Sequence, residues 1–279
     1  MRKIVLEEHF TTPTIAPYAR DVVAMVDPTF GKYVGPRLLD FEELRIADMD
    51  KNGIDMCVLS ANSPGVQVEP NQAVAVKNAR AVNDLLAGYI NKHPARFSGF
   101  AHLAMQDPKE AATELERCVT NLGMKGALIN GHTNGEYYDA EKFWPVWEKS
   151  EELGVPIYLH PADPQTVPGN TDGYPEMFGP GFAWGAETAG HALRIIYGGV
   201  FDRFPKATLI LGHMGETLPY TLWRLDSRYG MMRHKQEIRK LPSQYIRENI
   251  MITTAGAFSA EPLLCAIQAL GSDRIRPSV

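Results

Sequence analysis

Short apolar runs that each precede a helical pattern constrain the fold of this sequence most. The runs lack polar alternation, so each is predicted to be a strand buried on both faces. Counting from residues 4–6, further strands are predicted at residues 56–59, 97–103, 126–129, 156–159, 208–211 and 250–253. Seven strand–helix units and an eighth opening at Asp273-Arg274-Ile275 favour a parallel (β/α)8 barrel. A doubly wound open sheet is the rival, disfavoured because no strand precedes a Gly-x-Gly-x-x-Gly turn.

The segments between these strands are predicted mainly as helices. The predicted helices are residues 38–51, 72–91, 108–121, 142–153, 183–197, 218–236 and 261–270. Residues 11–36 are rich in proline and glycine and are predicted to form a long irregular loop, a length typical of functional loops.

The end of the sequence bears on the predicted domain. A barrel unit takes about 30 residues, and the eighth unit has only a few here. The sequence therefore predicts one domain over residues 1–279 that lacks most of its last unit. A barrel shortened in this way is expected to expose a sheet edge.

Composition excludes several functional classes. With 279 residues, 44% hydrophobic, the chain suits a globular domain with a sizeable core. Its net charge of −5 and the absence of a basic run argue against a nucleic-acid partner. No apolar stretch approaches the ~18 residues of a membrane span, and no signal peptide is evident. Cys57, Cys118 and Cys265 are scattered and predict reduced thiols in a cytoplasmic protein.

The first predicted strand ends in acid and imidazole groups. Glu7 and His9 are two residues apart, so they share one face of the strand, and Glu8 faces the other way. A carboxylate and an imidazole on one face predict a clip for a divalent metal. An ordinary polar strand end is an equally good reading of these residues alone.

Further polar residues follow the later strands directly. The C-terminal ends of barrel strands meet on one face, so Asn130, His160 and His213 are expected to join Glu7 and His9 there. Other histidines lie in predicted loops or helices, and a structural role is expected for them. They are His93, His132, His191 and His234, while the role of His102 is left open.

Several motifs along the chain resemble one family, the metal-dependent aromatic acid decarboxylases of the amidohydrolase superfamily. This branch includes the γ-resorcylate (2,6-dihydroxybenzoate), 5-carboxyvanillate and 2,3-dihydroxybenzoate decarboxylases. The matching blocks are KIVLEEHF (3–10), GALING (126–131), YLHP (158–161), GVFDRFP (199–205), LGHMGE (211–216), LPY (218–220) with WR (223–224), ITT (252–254) and GSDRI (271–275). The resemblance implies a distorted TIM barrel of the amidohydrolase type with one divalent metal, Zn²⁺ or Mn²⁺, Mg²⁺ being a further candidate, and no organic cofactor.

The resemblance also implies roles for individual residues. Glu7, His9 and His160 match the family's metal ligands, and His213 and Glu216 match a hydrogen-bonded catalytic pair beside the metal.

Two residues match positions that meet the substrate. Arg224 and Asn130 are expected to bind an anionic aromatic acid. The family's remaining ligand, an aspartate, would follow directly after Val279, where the sequence given ends. A chain without that acid is expected to be a poor enzyme.

The function implied by the resemblance is reversible, non-oxidative decarboxylation of an ortho-hydroxylated aromatic acid, by a dimer or tetramer of identical chains. A metal-dependent lactone or amide hydrolase of the same superfamily is the first alternative. A non-catalytic truncated form is the second.

Overall fold

The computed structural model describes residues 2–278 and contains nine strands, all paired in parallel. The strands are β1 Ile4–Phe10, β2 Met56–Ala61, β3 Phe97–Gly99, β4 Ala101–His102, β5 Ala127–Asn130, β6 Ile157–His160, β7 Leu209–Leu211, β8 Ile250–Thr253 and β9 Ile275–Arg276. They form two runs, in the order β1-β2-β3 and β4-β5-β6-β7-β8-β9.

The two runs join into a ring. Phe100 separates β3 from β4 and donates its N–H to Leu59 O at 2.9 Å, whereas the next residue, Ala101, donates to Gly126 O at 2.8 Å. The predicted third strand is therefore interrupted at Phe100, where its pairing moves from β2 to β5. At the other side, Ser278 bridges Leu6 in parallel. The strands thus follow one another around a barrel of the predicted type.

Helices connect the strands of this ring. They are α1 Arg20–Met25, α2 Pro28–Leu39, α3 Leu44–Lys51, α4 Gln72–Lys92, α5 Pro108–Thr120, α6 Trp144–Leu153, α7 Pro175–Phe178, α8 Ala183–Tyr197, α9 Val200–Arg203, α10 His213–Glu216, α11 Leu218–Tyr229, α12 Pro242–Asn249 and α13 Ala260–Leu270. Short 3₁₀ turns occupy Ala16–Ala19, Gly65–Val68, Glu141–Phe143 and Ser272–Arg274. Within the described part of the chain, no helix has the length and apolar character needed to cross a membrane.

The prediction of an irregular segment at residues 11–36 is wrong. Asp27 caps α2 by accepting the N–H of Thr29 at 2.8 Å, and Pro28 occupies its first turn, where a missing N–H costs nothing. The single helix predicted at residues 38–51 is also wrong. Asp40 interrupts it, and its carboxylate accepts the N–H groups of Leu44 and Arg45 that begin α3. These prolines and aspartates start helices rather than prevent them.

Two hydrophobic layers stabilise the barrel. A large layer lies between sheet and helices, and a smaller one fills the inside of the ring. The inner layer takes eight residues from around the ring: Ile4, Leu6, Val58, Phe100, Leu128, Tyr158, Ile210 and Met251. The barrel is therefore closed by packed side chains at this level, so a site must lie above it.

Truncation of one inner residue tests this packing. Leu128→Ala is expected to lower the free energy of unfolding by about 2–5 kcal/mol, because the layer cannot collapse around the lost methyl groups. Leu39→Ala is the matched control, because Leu39 is 53% exposed. This substitution should change the free energy of unfolding by about 0.5 kcal/mol or less. Denaturant titration measures both, and equal small effects would show that the inner layer does not hold the barrel together.

Candidate metal centre and active site

A polar layer lies directly above the inner apolar layer. Side chains of a strand alternate faces, so the residue two positions after each inner residue points inward again. The residues at these positions are Ser60, His102, Asn130, His160, Gly212 and Thr253. The C-terminal ends of the strands thus present polar groups to one enclosed space, as the sequence predicted for Asn130 and His160.

The first strand reaches this layer only through a β-bulge. Ile4 and Leu6 point inward, and simple alternation would send Glu8 inward next. The pairing with β2 shifts between Val5 and Glu8, and Glu7 has a left-handed φ of 63°. The extra residue turns both Glu7 and His9 inward. Glu8 points outward, where it lies 3.8 Å from Arg45.

Glu7, His9 and His160 converge in this space. One ligand atom from each residue lies within 4.8 Å of the other two. The two imidazole Nε2 atoms are 3.1 Å apart, and His160 Nε2 is 3.4 Å from Glu7 Oε1. Two nitrogens and one carboxylate oxygen from separate strands form a donor set that suits a divalent cation.

Hydrogen bonds fix the orientation of both imidazoles. His160 Nδ1 lies 2.8 Å from Pro161 O, and because a carbonyl only accepts, Nδ1 carries the proton. His160 therefore directs Nε2 toward His9. Ser60 Oγ lies 3.3 Å from His9 Nδ1, so the Nε2 atom of that ring faces His160. Burial lowers the pKa of His9 to about 3, so its ring is neutral, as a metal ligand requires.

Glu7 is a buried carboxylate whose two oxygens have different partners. Oε1 faces His160 and His213, while Oε2 accepts hydrogen bonds from Tyr158 and Thr253. Burial raises the pKa of Glu7, but the hydrogen bonds and positive charge of the two imidazoles outweigh it and hold the pKa well below its usual range. The group is thus an anion in the folded protein.

The Tyr158 and Thr253 hydroxyls form a clamp on Glu7 Oε2. They also contact each other, at 3.0 Å. Gly212 leaves room for this pair, since a Cβ there would lie 2.7 Å from Glu7 Oε2 and 3.0 Å from the Tyr158 hydroxyl. Both clamp residues face the barrel interior, so the clamp directs Oε1 toward the imidazoles.

His213 and Glu216 lie on an unusual turn. Positive φ values run without interruption from His213 to Thr217, at 50°, 56°, 77°, 51° and 67°. Left-handed backbone costs about 1–2 kcal/mol for each residue with a side chain, so a run of this kind persists only where the surroundings impose it. The turn α10 is therefore a left-handed turn, held by an N–H from Gly215 to Gly212 O at 2.7 Å.

This turn places His213 between two carboxylates. Its Nδ1 lies 2.6 Å from Glu216 Oε1, and its Nε2 lies 3.1 Å from Glu7 Oε1. Burial lowers the pKa of His213, but hydrogen bonds to Glu216 and Glu7 outweigh it and raise the pKa to about 10. Its side chain is 30% exposed, more than those of Glu7, His160 and Glu216, so it lies at the mouth of the site.

Two further predicted residues make no hydrogen bond to this cluster within residues 2–278. Asn130 is fully buried beside His160 in the β5–β6 register, and its amide donates to the carbonyls of Ala61 and Asn62. Its Oδ1 has no hydrogen-bond partner within residues 2–278. Arg224 lies on α11 and lines a separate cavity outside the barrel. The structure therefore brings five of the seven predicted site residues into contact, with Asn130 adjacent and Arg224 apart.

Three of the other histidines have structural partners. His191 Nε2 accepts the N–H of Tyr138 at 3.0 Å, and His93 pairs with Glu42, in agreement with the roles predicted for them. His102, left open by the sequence, accepts the N–H of Val66 at 3.0 Å and so holds the loop after β2. The sequence did not identify Tyr158 and Thr253, although Tyr158 shares an inward face with His160.

Comparisons with known proteins agree on one family. The sequence profile of the family described as Amidohydrolase matches residues 9–275. A γ-resorcylate decarboxylase of Polaromonas sp. is 43% identical, over 98% of this chain and 86% of that protein. A crystal structure of 2,6-dihydroxybenzoate decarboxylase with 2,6-dihydroxybenzoate has a TM-score of 0.93 and 41% identity, covering 100% of this chain and 88% of the other. A dihydroxybenzoic acid decarboxylase from Polaromonas sp., with manganese and 2-nitroresorcinol, has a TM-score of 0.92 and 43% identity, covering 99% and 85%.

The clamp on Glu7 generates a test. Tyr158→Phe keeps the ring in the inner layer but frees Glu7 Oε2, so Mn²⁺ affinity is expected to fall about 10–100-fold. Tyr245→Phe is the matched control, because Tyr245 is equally buried but its hydroxyl binds Asp202. Isothermal titration calorimetry with Mn²⁺ measures both variants. Wild-type affinity in Tyr158→Phe would show that the clamp does not orient the carboxylate.

Proposed function

The chain belongs to the amidohydrolase family, and we propose that it is a metal-dependent decarboxylase of an ortho-hydroxylated benzoate of the 2,6-dihydroxybenzoate type. The observation that carries the proposal is the contact between the Glu7–His9–His160 donor set and the His213–Glu216 pair. The similarity to γ-resorcylate decarboxylases extends over nearly the whole chain and supports the same reaction.

A divalent metal fits the residues present. The Nε2 atoms of His9 and His160 face each other across 3.1 Å beside the carboxylate of Glu7, an arrangement that a shared cation stabilises. Glu7, His9 and His160 would hold the ion, and manganese is favoured because two similar decarboxylases have been solved with it. When bound, the ion would attract the carboxylate and the neighbouring hydroxyl of the substrate and withdraw charge from the ring.

The reaction exchanges one group on a ring carbon. The bond from that carbon to the carboxylate breaks, its electron pair stays on the ring carbon, carbon dioxide leaves, and a proton supplied by water bonds to the carbon. His213 holds a proton beside the ligand set, with Nδ1 fixed by Glu216. We assign His213 Nε2 to the substrate hydroxyl, which it orients and with which it exchanges a proton. Glu216 stabilises the charged form of the imidazole throughout.

Other residues shape the space around the substrate. Trp184 donates its indole N–H to Asp163 at 2.5 Å, and its ring lies 6.5 Å from that of His160, so it forms a wall. Asn130 is proposed to accept a hydrogen bond from a substrate hydroxyl at Oδ1, which has no partner within residues 2–278. Arg224 is given no step within this chain, because it lines the outer cavity.

The protein is also proposed to form a dimer or tetramer of identical chains. Tyr220 and Trp223 on α11 are 85% and 76% exposed, and Phe258 and Leu264 are exposed near the adjoining α13. An apolar surface of this kind supports self-association. The free thiols of Cys57, Cys118 and Cys265 support a cytoplasmic location.

Substrate turnover tests the proposed function. With Mn²⁺ and 2,6-dihydroxybenzoate, the protein is expected to release carbon dioxide and resorcinol without oxygen or an organic cofactor. His213→Gln should lower kcat about 10²–10⁴-fold while metal content stays unchanged, because the proton-handling group is lost. His93→Gln, at a half-buried side chain paired with Glu42 and outside the site, is the control.

The same assay separates the alternatives. Turnover of aromatic lactones without release of carbon dioxide would show that the protein is a hydrolase and not a decarboxylase. Absence of both activities in the metal-loaded protein would contradict an enzymatic function.

A further inference from the structure

A second cavity lies outside the barrel, behind the left-handed turn. It has a volume of about 650 Å³ and opens between α8, α11 and the segment that follows α11. Its lining includes the apolar side chains Ala189, Leu193, Leu218 and Leu225. This volume falls within the range of small-molecule sites, about 300–1,000 Å³.

The polar lining of this cavity is cationic. It contains Arg224, Arg228, Arg233 and Lys235, and none of these has a carboxylate within 4.0 Å in residues 2–278. Arg194, at the other side, is paired with Asp139, its Nε lying 3.0 Å from Oδ1. Arg224 and Arg228 are four residues apart on one helix, where like charges repel. Such a cluster in a chain of net charge −5 favours an anion in the cavity.

Aromatic rings form a stack at the same cavity. The rings of Tyr197 and Tyr229 lie 6.0 Å apart and nearly parallel, and His234 lies 3.9 Å from Tyr229. The N–H of Ile238 donates to the Tyr229 hydroxyl at 3.1 Å and fixes that ring. A planar ligand can extend this stack, and guanidinium groups match carboxylate or phosphate oxygens in pairs.

We propose that this cavity binds an aromatic ligand that carries at least two negative charges. Three arginines and a lysine exceed what a single carboxylate needs, and the stacked rings select a planar group. The chemistry is shared by nucleoside diphosphates and by benzene dicarboxylates. The site is distinct from the metal centre, and the proposal does not require the decarboxylase activity. Thr217 and Leu218 line the cavity directly after Glu216, so the ligand would lie against the turn that carries the catalytic pair.

Calorimetric titration of the full chain with ADP, isophthalate and pyrophosphate tests the proposal. ADP or isophthalate should bind, and the tighter of the two identifies the ligand class. The double variant Arg228→Gln, Arg233→Gln should weaken that binding at least tenfold and leave decarboxylation unchanged. Arg20→Gln, an exposed arginine on α1, is the matched control. Pyrophosphate lacks a ring and should bind at least tenfold more weakly than ADP.

Several outcomes would overturn the proposal. If the wild-type protein and the double variant bind all three probes with equal affinity, the probes bind outside this cavity. Pyrophosphate binding as tightly as ADP would remove the aromatic requirement. The wild-type protein could also bind none of the probes, while the double variant differs from it only in sedimentation coefficient. That result would show that these cations contact a second copy of the chain.

Discussion

The burial of one carboxylate, Glu7, is the interaction on which the rest of the site depends. An ionised carboxylate inside a barrel is costly unless every oxygen has a partner. Two hydroxyls satisfy Oε2 and two imidazoles face Oε1. This division of partners gives Glu7 one oxygen for the protein and one for the proposed metal. It also draws β1, β6, β8 and the turn after β7 together.

The backbone adapts to this arrangement at two places. The bulge at Glu7 turns Glu7 and His9 of β1 inward, and the left-handed turn at 213–217 brings His213 to the second side of the carboxylate. Both use φ values that side chains disfavour. Gly212 and Gly256 leave the space that these groups fill, since a Cβ at Gly256 would lie 2.8 Å from the His213 ring. Strained backbone thus coincides with the proposed chemistry and is uncommon elsewhere among the described residues.

The sequence predicts the features that follow from the spacing of apolar residues and from the position of polar residues at strand ends. Apolar runs located the strands, and polar residues at their ends located His160 and His213. The common face of Glu7 and His9 was predicted from alternation, and the conflict with inward Ile4 and Leu6 was the one signal for the bulge. The left-handed turn left no such signal, because four of its five residues have side chains. Residues 11–36 were misjudged because proline and glycine suggested a loop where capping by Asp27 begins a helix.

The position of the metal is the most direct test of this account. Crystals grown with Mn²⁺ should show one anomalous peak, about 2.0–2.3 Å from Nε2 of His9, Nε2 of His160 and Oε1 of Glu7. The peak should vanish in His160→Ala and persist in the control variant His93→Ala. A peak bound through other side chains, through Nδ1 of either histidine, or unchanged in His160→Ala would contradict the account.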